Sequence, residues 1–407
     1  MTTTQQRVDP EQLIPRTEFA ERQEKARQAA AEQGLDGLVV WSRGGGPVDM
    51  STDVVYLANH YSQQPYMADH AGIGRARSHG VLVLPVNGPS ILVMDVPWWR
   101  ADLVVADDVR TGNDVVAKVA DAVRSAGLTD GRVGLVGASH MTAAAYLGFR
   151  DELPALDLRR VDDLVEQLRI YKSPAEAAAM RAAIALGVRA VEAGMAAAVP
   201  GATEADCAAE TAAVVAREGG VLYDAACASG PQSHYFTWAR MPSSSLRPMR
   251  AGEIFHMDCY GALGGYFWDF GRTRIVGDSP SDAQVRLVEA AIDIVDAVCG
   301  AIQPGMTASE AFRIGDEATS ANELVRSLPQ EEGDTEGFPA VGHGIGLGWE
   351  APWLTPTDHT ILVPGMTLAV ETLIGHPSVG GGFHEENGIV TDDGFEVLTS
   401  GVRSRWW

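Results

Sequence analysis

The segment HMDCYGALGGYFWDFGRTR carries two aspartates, Asp258 and Asp269, with Gly264 and Gly265 between them. A Gly-Gly pair between apolar, aromatic-rich runs reads as a turn joining two strands. Closing a hairpin there places the two carboxylates side by side on one face. Three more ligand-type residues follow: His343 in VGHGIGLGWE, Glu371 in LAVETL and Glu385 in GGFHEEN. Glu371 and Glu385 sit in late apolar runs that read as core strands. A carboxylate there is costly unless it is paired or bound to a metal. Four carboxylates and one imidazole make a hard, oxygen-rich donor set. Five such side chains overfill a single four-coordinate site, so the set suits two divalent ions better than one. The glycines around His343 are expected to leave its imidazole exposed in a cleft.

Composition removes several classes of function. The chain has 407 residues, enough for two domains, with 46 % hydrophobic and 21 % charged residues. Its formal charge of -23 repels phosphate backbones, so a nucleic-acid partner is not expected. The opening MTTTQQRVDPEQLIPRTEF has no apolar core of signal-peptide length, and no run approaches the ~20 apolar residues that span a bilayer. The four cysteines, Cys207, Cys227, Cys259 and Cys299, lack C-x-x-C spacing. They are read as reduced packing groups in a cytoplasmic protein without a membrane partner. Cys259 follows Asp258 along a strand and so points to the opposite face.

Residues 18–33 read as a helix, with Thr17 as its cap and Gly34 as its stop. The strand-like runs GLVVWS, GVLVLPV, SILVMDV and RVGLVG then alternate with helical patterns, which implies an α/β domain. Residues 158–171 read as a connecting helix. Ser173, Pro174 and Glu176 in KSPAE form a capping box at the head of the next helix. The expected domains are therefore 1–168 and 169–407. Within the second, PGATEADCAAE and PGMTASEAF each place Pro-Gly before a Thr cap with an acid three residues on, and each follows an Ala/Val-rich helix. That echo suggests two similar halves around one core.

From about residue 169 onward the chain resembles the creatinase / aminopeptidase P / prolidase family, the M24 or pita-bread metallopeptidases. The matching segments are KSPAE with Met180 and Arg181, SGPQSHY, the Asp258/Asp269 pair with GRT, GHGIGL, MTLAVET and HEENGIVTDDGFEVLT. The first domain is similar to the creatinase-type N-terminal domain more loosely, with MDVPWWRADL the nearest match. The resemblance implies an α/β (α+β) protein: a creatinase-type N-terminal domain, then a pita-bread domain with pseudo-twofold halves. It also implies a homodimer. Asp258, Asp269, His343, Glu371 and Glu385 would ligate two divalent ions, Mn²⁺ first, with Co²⁺, Zn²⁺ or Fe²⁺ as alternatives. The implied activity is hydrolysis of an amide bond by a metal-bridging hydroxide, most like an Xaa-Pro dipeptidase or aminopeptidase. Glu371 would handle the water proton, and His234 in SHYF would act on the substrate side.

Two positions depart from the family pattern. A second histidine usually lies seven residues after the ligand histidine, where this chain has Glu350. An ionised glutamate cannot donate as that histidine does, but it could bind a cationic group. The arginine that usually stands two residues before the last glutamate is Phe383 here, beside His384. Trp268, Trp349 and Trp353 flank the expected site as aromatic walls, which can hold a cation over a ring face. Glu350, Phe383, Trp268 and Trp349 are therefore candidate substrate-binding residues. Glu350 and Phe383 motivate an alternative: a creatinase-like hydrolase or metal-dependent lyase acting on a small zwitterionic or cationic substrate. The complete ligand set argues against a metal-free hydrolase or a pure binding module. Arg272, three residues past Asp269, is expected to orient a carboxylate.

Overall fold

The computed structural model describes residues 9–44, 48–62, 64–235, 241–277, 279–327 and 340–407. These divide into two compact units, Ile14–Arg169 and Ile170–Trp407, the second also taking in residues 9–13.

In the first unit the four runs expected as strands form β1 (Gly37–Arg43), β2 (His79–Pro85), β3 (Ile91–Met94) and, after β4 (Asp108–Thr111), β5 (Arg132–Val136). With β6 (Asp157–Arg160) they make a six-stranded sheet in the order β4-β3-β2-β1-β5-β6. β1 runs antiparallel to β2 and parallel to β5. Residues of β1 and β2 are almost all buried, which explains their continuous apolar runs. Helices α1 (Arg16–Glu32), α2 (Thr52–Ala58), α3 (Val115–Ser125), α4 (Ala143–Glu152) and α5 (Asp162–Arg169) complete the unit. Two readings change here. The cap of α1 is Pro15, with no side-chain hydrogen bond, because the helix starts before Thr17. Residues 158–160 are strand rather than helix, since pairing with β5 overrides their local pattern and α5 begins only at Asp162.

The second unit begins with α6 (Pro174–Ala197), headed by the Ser173/Glu176 capping box. After α7 (Glu204–Arg217) come β7 (Val221–Ser229), β8 (Ile254–Leu263) and β9 (Tyr266–Ile275), a three-stranded antiparallel sheet. Then follow α8 (Asp282–Ala301), α9 (Ala308–Ala321) and α10 (Glu323–Ser327). The last strands are β10 (Gly342–Ile345), β11 (Trp349–Trp353), β12 (Thr367–His376), β13 (Gly380–Thr391) and β14 (Gly394–Val397), ordered β11-β10-β12-β13-β14.

The sequence echo has a structural counterpart. Thr203 and Thr307 each close a capping box, at the heads of α7 and α9. Gly201 N donates to Met249 O and Met249 N donates to Ala202 O; Gly305 N donates to Leu362 O and Leu362 N donates to Met306 O. Asp258 on β8 and Glu371 on β12 lie at the same distance along the chain past Met249 and Leu362. The hairpins β8–β9 and β12–β13 thus occupy equivalent places in two similar halves, and each carries two of the four acids. Among the described residues no helix is long and apolar enough to cross a membrane.

Candidate metal centre

The turn between β8 and β9 is Gly264-Gly265, both with positive φ (58° and 90°). Two left-handed residues make the hairpin turn whose twist matches the flanking strands. The turn sets the register, so Tyr260 pairs with Asp269 and Asp258 pairs with Gly271. Asp258 and Asp269 are therefore diagonal neighbours on one face. In the other hairpin Glu371 lies directly opposite Glu385. Like charges so placed repel each other unless a cation intervenes.

His343 on β10 pairs with Ala369, which puts its side chain on the face of β12 that carries Glu371. Its Nε2 lies 3.6 Å from Asp269 Oδ2 and 3.8 Å from Glu371 Oε1. Its Nδ1 is 3.0 Å from the carbonyl of Gly344, a contact that suits an Nδ1–H donor and leaves Nε2 basic. Potential ligand atoms of Asp269, His343 and Glu385 all lie within 4.8 Å of one another. The imidazole expected in an open cleft is instead buried.

The electrostatics of the cluster are those of uncompensated acids. Burial, with Asp269 and Asp224 nearby, pushes Asp258 well above the usual carboxylate range. Burial and the Glu371 charge raise Asp269 to about 8. Burial and the Asp258 charge raise Glu371 to about 8. Glu385 rises well above its ordinary value through burial and its three acidic neighbours. Burial lowers His343 to about 4, which keeps it neutral and fit to ligate. Asp258 Oδ1 and Glu385 Oε2 are buried and have no hydrogen-bond partner among the described residues. Orphaned carboxylate oxygens, mutual repulsion and a neutral imidazole fit a cluster built to hold divalent cations.

The two sheets are stitched together at β9 and β13 behind these side chains. Asp269 N donates to Asn387 Oδ1 at 2.9 Å, and Asn387 Nδ2 donates to Asp269 O. Thr273 Oγ1 bonds both the carbonyl and the amide of Phe383. Arg272 is fully buried; it donates to Glu385 O and meets Glu386 Oε1 at 2.8 Å. It thus orients the backbone of Glu385, a candidate ligand, and the carboxylate of Glu386. Burial alone would raise Glu386, but the His384 ring, whose Nε2 lies 3.1 Å from Glu386 Oε1, and the Arg272 charge bring it down to about 2. Sequence reasoning does not single out Asn387 or Thr273. Their signal is a polar side chain inside an otherwise apolar strand.

The substrate-side candidates separate. Trp349 stands at the cluster, its Nε1 donating to Asp269 Oδ2 at 2.5 Å. The rings of Trp349 and Trp353 both lie against His343. Glu350 is a correction. It pairs with Gly344 and lies against Gly346, on the opposite face of β11 from Trp349, where Lys172 Nζ meets it at 2.5 Å. The cation it binds is one of the chain's own. Trp268 is another, for alternation along β9 turns it away from Asp269, and its ring packs on Gly187 of α6. Phe383 is fully buried against Gly271 and His256 and presents no surface to a ligand. His234 lies on the loop after β7, with its carbonyl close against Gly375 of β12 and its ring edge-on to Tyr235.

The chain is similar to known proteins along most of its length. Residues 178–393 match Metallopeptidase family M24, and residues 22–171 match the Creatinase/Prolidase N-terminal domain. The chain is 28 % identical over 400 residues to the probable dipeptidase PepE of Mycobacterium tuberculosis, covering 92 % of this chain and 93 % of that protein. It is 27 % identical over 261 residues to an Xaa-Pro dipeptidase of Pyrococcus furiosus, covering 63 % and 70 %. Among solved structures, the dipeptidase PepE from Mycobacterium ulcerans superposes with a TM-score of 0.72 at 26 % identity, covering 95 % and 96 % of the two chains. The Xaa-Pro dipeptidase from Bacillus anthracis superposes with a TM-score of 0.75 at 24 % identity, covering 94 % and 97 %, and there the likeness is one of fold.

Proposed function

The chain belongs to metallopeptidase family M24, and from that premise we propose that it hydrolyses the amide bond of Xaa-Pro dipeptides with two divalent ions, Mn²⁺ first among them. The observation that carries this reading is the convergence of Asp269, His343 and Glu385, with Glu371 opposite Glu385 and Asp258 diagonal to Asp269, in a buried cluster where, among the described residues, Asp258 Oδ1 and Glu385 Oε2 have no hydrogen-bond partner. The names of the relatives supply the substrate class.

When bound, the ions lower the pKa of water toward neutral and polarise the scissile carbonyl. The five side chains would hold them, and with Nδ1 of His343 engaged by Gly344, Nε2 is the nitrogen that would ligate. Glu371 is the least enclosed of the four acids and stands next to His343, which suits it to accept the proton that the attacking water loses. His234 supplies a donor to the developing oxyanion or to the leaving nitrogen. Trp349 walls the substrate side. A homodimer in the cytoplasm is part of the same proposal; the four buried cysteines, outside any disulfide, suit a reducing compartment.

The test is turnover of Xaa-Pro dipeptides by protein loaded with Mn²⁺. Hydrolysis is expected, and no turnover by fully metallated protein overturns the substrate class. The alternative small cationic or zwitterionic substrate draws on Glu350 and Phe383. One is neutralised by Lys172 and the other is buried, so neither supports it.

A further inference from the structure

We propose that Trp349 is a positioning residue of the metal centre, whose indole N–H holds one oxygen of Asp269 so that the carboxylate keeps a single orientation toward the cation. The inference rests on the reading that this cluster takes divalent ions, and it adds a residue that does not itself ligate.

The geometry is specific. Trp349 Nε1 donates to Asp269 Oδ2 at 2.5 Å, the same oxygen that lies 3.6 Å from His343 Nε2. The indole is held between two rings, with centroids 5.5 Å from Tyr260 and 5.7 Å from His343. Tyr260 is the residue directly across the hairpin from Asp269. One side chain therefore touches a ligand carboxylate, that ligand's cross-strand partner and a second ligand. A carboxylate offers about four acceptor directions; a donor that takes one of them fixes the rotation of the group and leaves the others for a cation. Outer hydrogen bonds of this kind set the orientation and basicity of a ligand.

The strand beneath the indole is anchored from behind. Glu350, next along β11, points to the opposite face, where Lys172 closes a buried ion pair on it at 2.5 Å. A buried pair of this sort is weak support for stability but holds register well. It explains why a tryptophan that is 48 % exposed can still present its N–H in one direction.

The test separates the N–H from the ring. Trp349→Phe keeps an aromatic between Tyr260 and His343 and removes the donor, and partial exposure of the site means it leaves no buried cavity. Titration of metal-free protein with Mn²⁺ should show affinity weakened by roughly 10- to 100-fold, the usual effect of losing an outer partner. The circular dichroism spectrum should be unchanged. With Mn²⁺ at saturation kcat should fall more than KM rises, because the ring facing substrate is retained. Unchanged Mn²⁺ affinity in a folded Trp349→Phe protein overturns the proposal. A second measurement uses the wild-type protein labelled with ¹⁵N at its indoles. The Trp349 N–H resonance, identified by its absence from Trp349→Phe or Trp349→Tyr, should move when Zn²⁺ saturates the site, and a resonance that stays in place also overturns the proposal. Wild-type protein that takes up no metal overturns the metal reading itself, and this inference with it.

Discussion

Buried acids are treated in opposite ways in the two units. In the first, Asp53 meets Arg169 at 2.9 Å, and Asp95 accepts from Arg77 Nε and from Ser78 N. Parts of the second unit follow the same rule, with Glu386 on Arg272 and Glu350 on Lys172. Asp258, Asp269, Glu371 and Glu385 break it, since they face one another and a neutral histidine. A fold that compensates its own buried charge elsewhere, and not here, leaves that compensation to something from outside. The contrast marks this cluster as the candidate metal site on physical grounds, independently of any motif.

The contrast can be broken by mutation, and the largest effect is expected at the uncompensated acids. Asp258→Asn or Glu385→Gln should lower kcat/KM for an Xaa-Pro dipeptide by ~10³-fold or more, because several kcal/mol of transition-state stabilisation leave with the metal. At pH 9, above the point where Asp269 and Glu371 ionise, the same variants should raise the thermal midpoint of metal-free protein, since one ionisable acid of the repelling set has gone. A midpoint that drops would mean the acids are compensated after all. Asp53→Ala should act with the opposite sign. Leaving Arg169 buried without its partner should cost about 3–5 kcal/mol in denaturant unfolding, with or without metal.

Acidity offers a third, intermediate test. Asp269 and Glu371 rise from ordinary values of 3.8 and 4.5 to about 8 in the folded metal-free protein. Between those limits the folded state keeps protons that the unfolded chain has released, so stability falls as pH rises through the window. Glu386, held at about 2, works the other way: its contribution is present above 4.5 and is lost as pH falls toward 2. Midpoints of chelator-treated protein measured from pH 5 to 9 should therefore decline, while metal-loaded protein should stay level or gain, because binding expels those protons. A flat profile without metal would contradict the shifts. The smallest effect is expected at Lys172 and Glu350. Replacing both, as Lys172→Met with Glu350→Leu, should leave stability near wild type or above it. The KM should change by much less than the tenfold that losing a substrate contact worth about 1.4 kcal/mol would give. A large rise in KM would return Glu350 to the substrate side.

Much of the site is legible in the amino-acid sequence. The Gly-Gly hairpin, the KSPAE capping box and the doubled Pro-Gly/Thr-cap pattern are local signals, and each depends on residues a few positions apart; the five candidate ligands are spread from Asp258 to Glu385 and are picked out by residue type and family resemblance. The helix expected over 158–171 fails in part because its first residues lie beside β5, and strand pairing outweighs local propensity. Trp268 is misplaced for a simpler reason: the residue before Asp269 on a strand has to face the other way.

Glu350 and Trp349 need more. The pairing of β10 with β11 shifts register between His343 and Gly344, and that irregularity decides which of two adjacent side chains meets the ligands. No spacing rule in the chain anticipates it, just as none anticipates Asn387 clasping the backbone of Asp269. What the chain determined by itself was which chemical groups are present, the turns and caps that start each element, and the period on which side chains repeat. Only the tertiary structure decided which face of each strand became the site and which acids were left without a cation, because facing and charge compensation depend on partners far away in sequence.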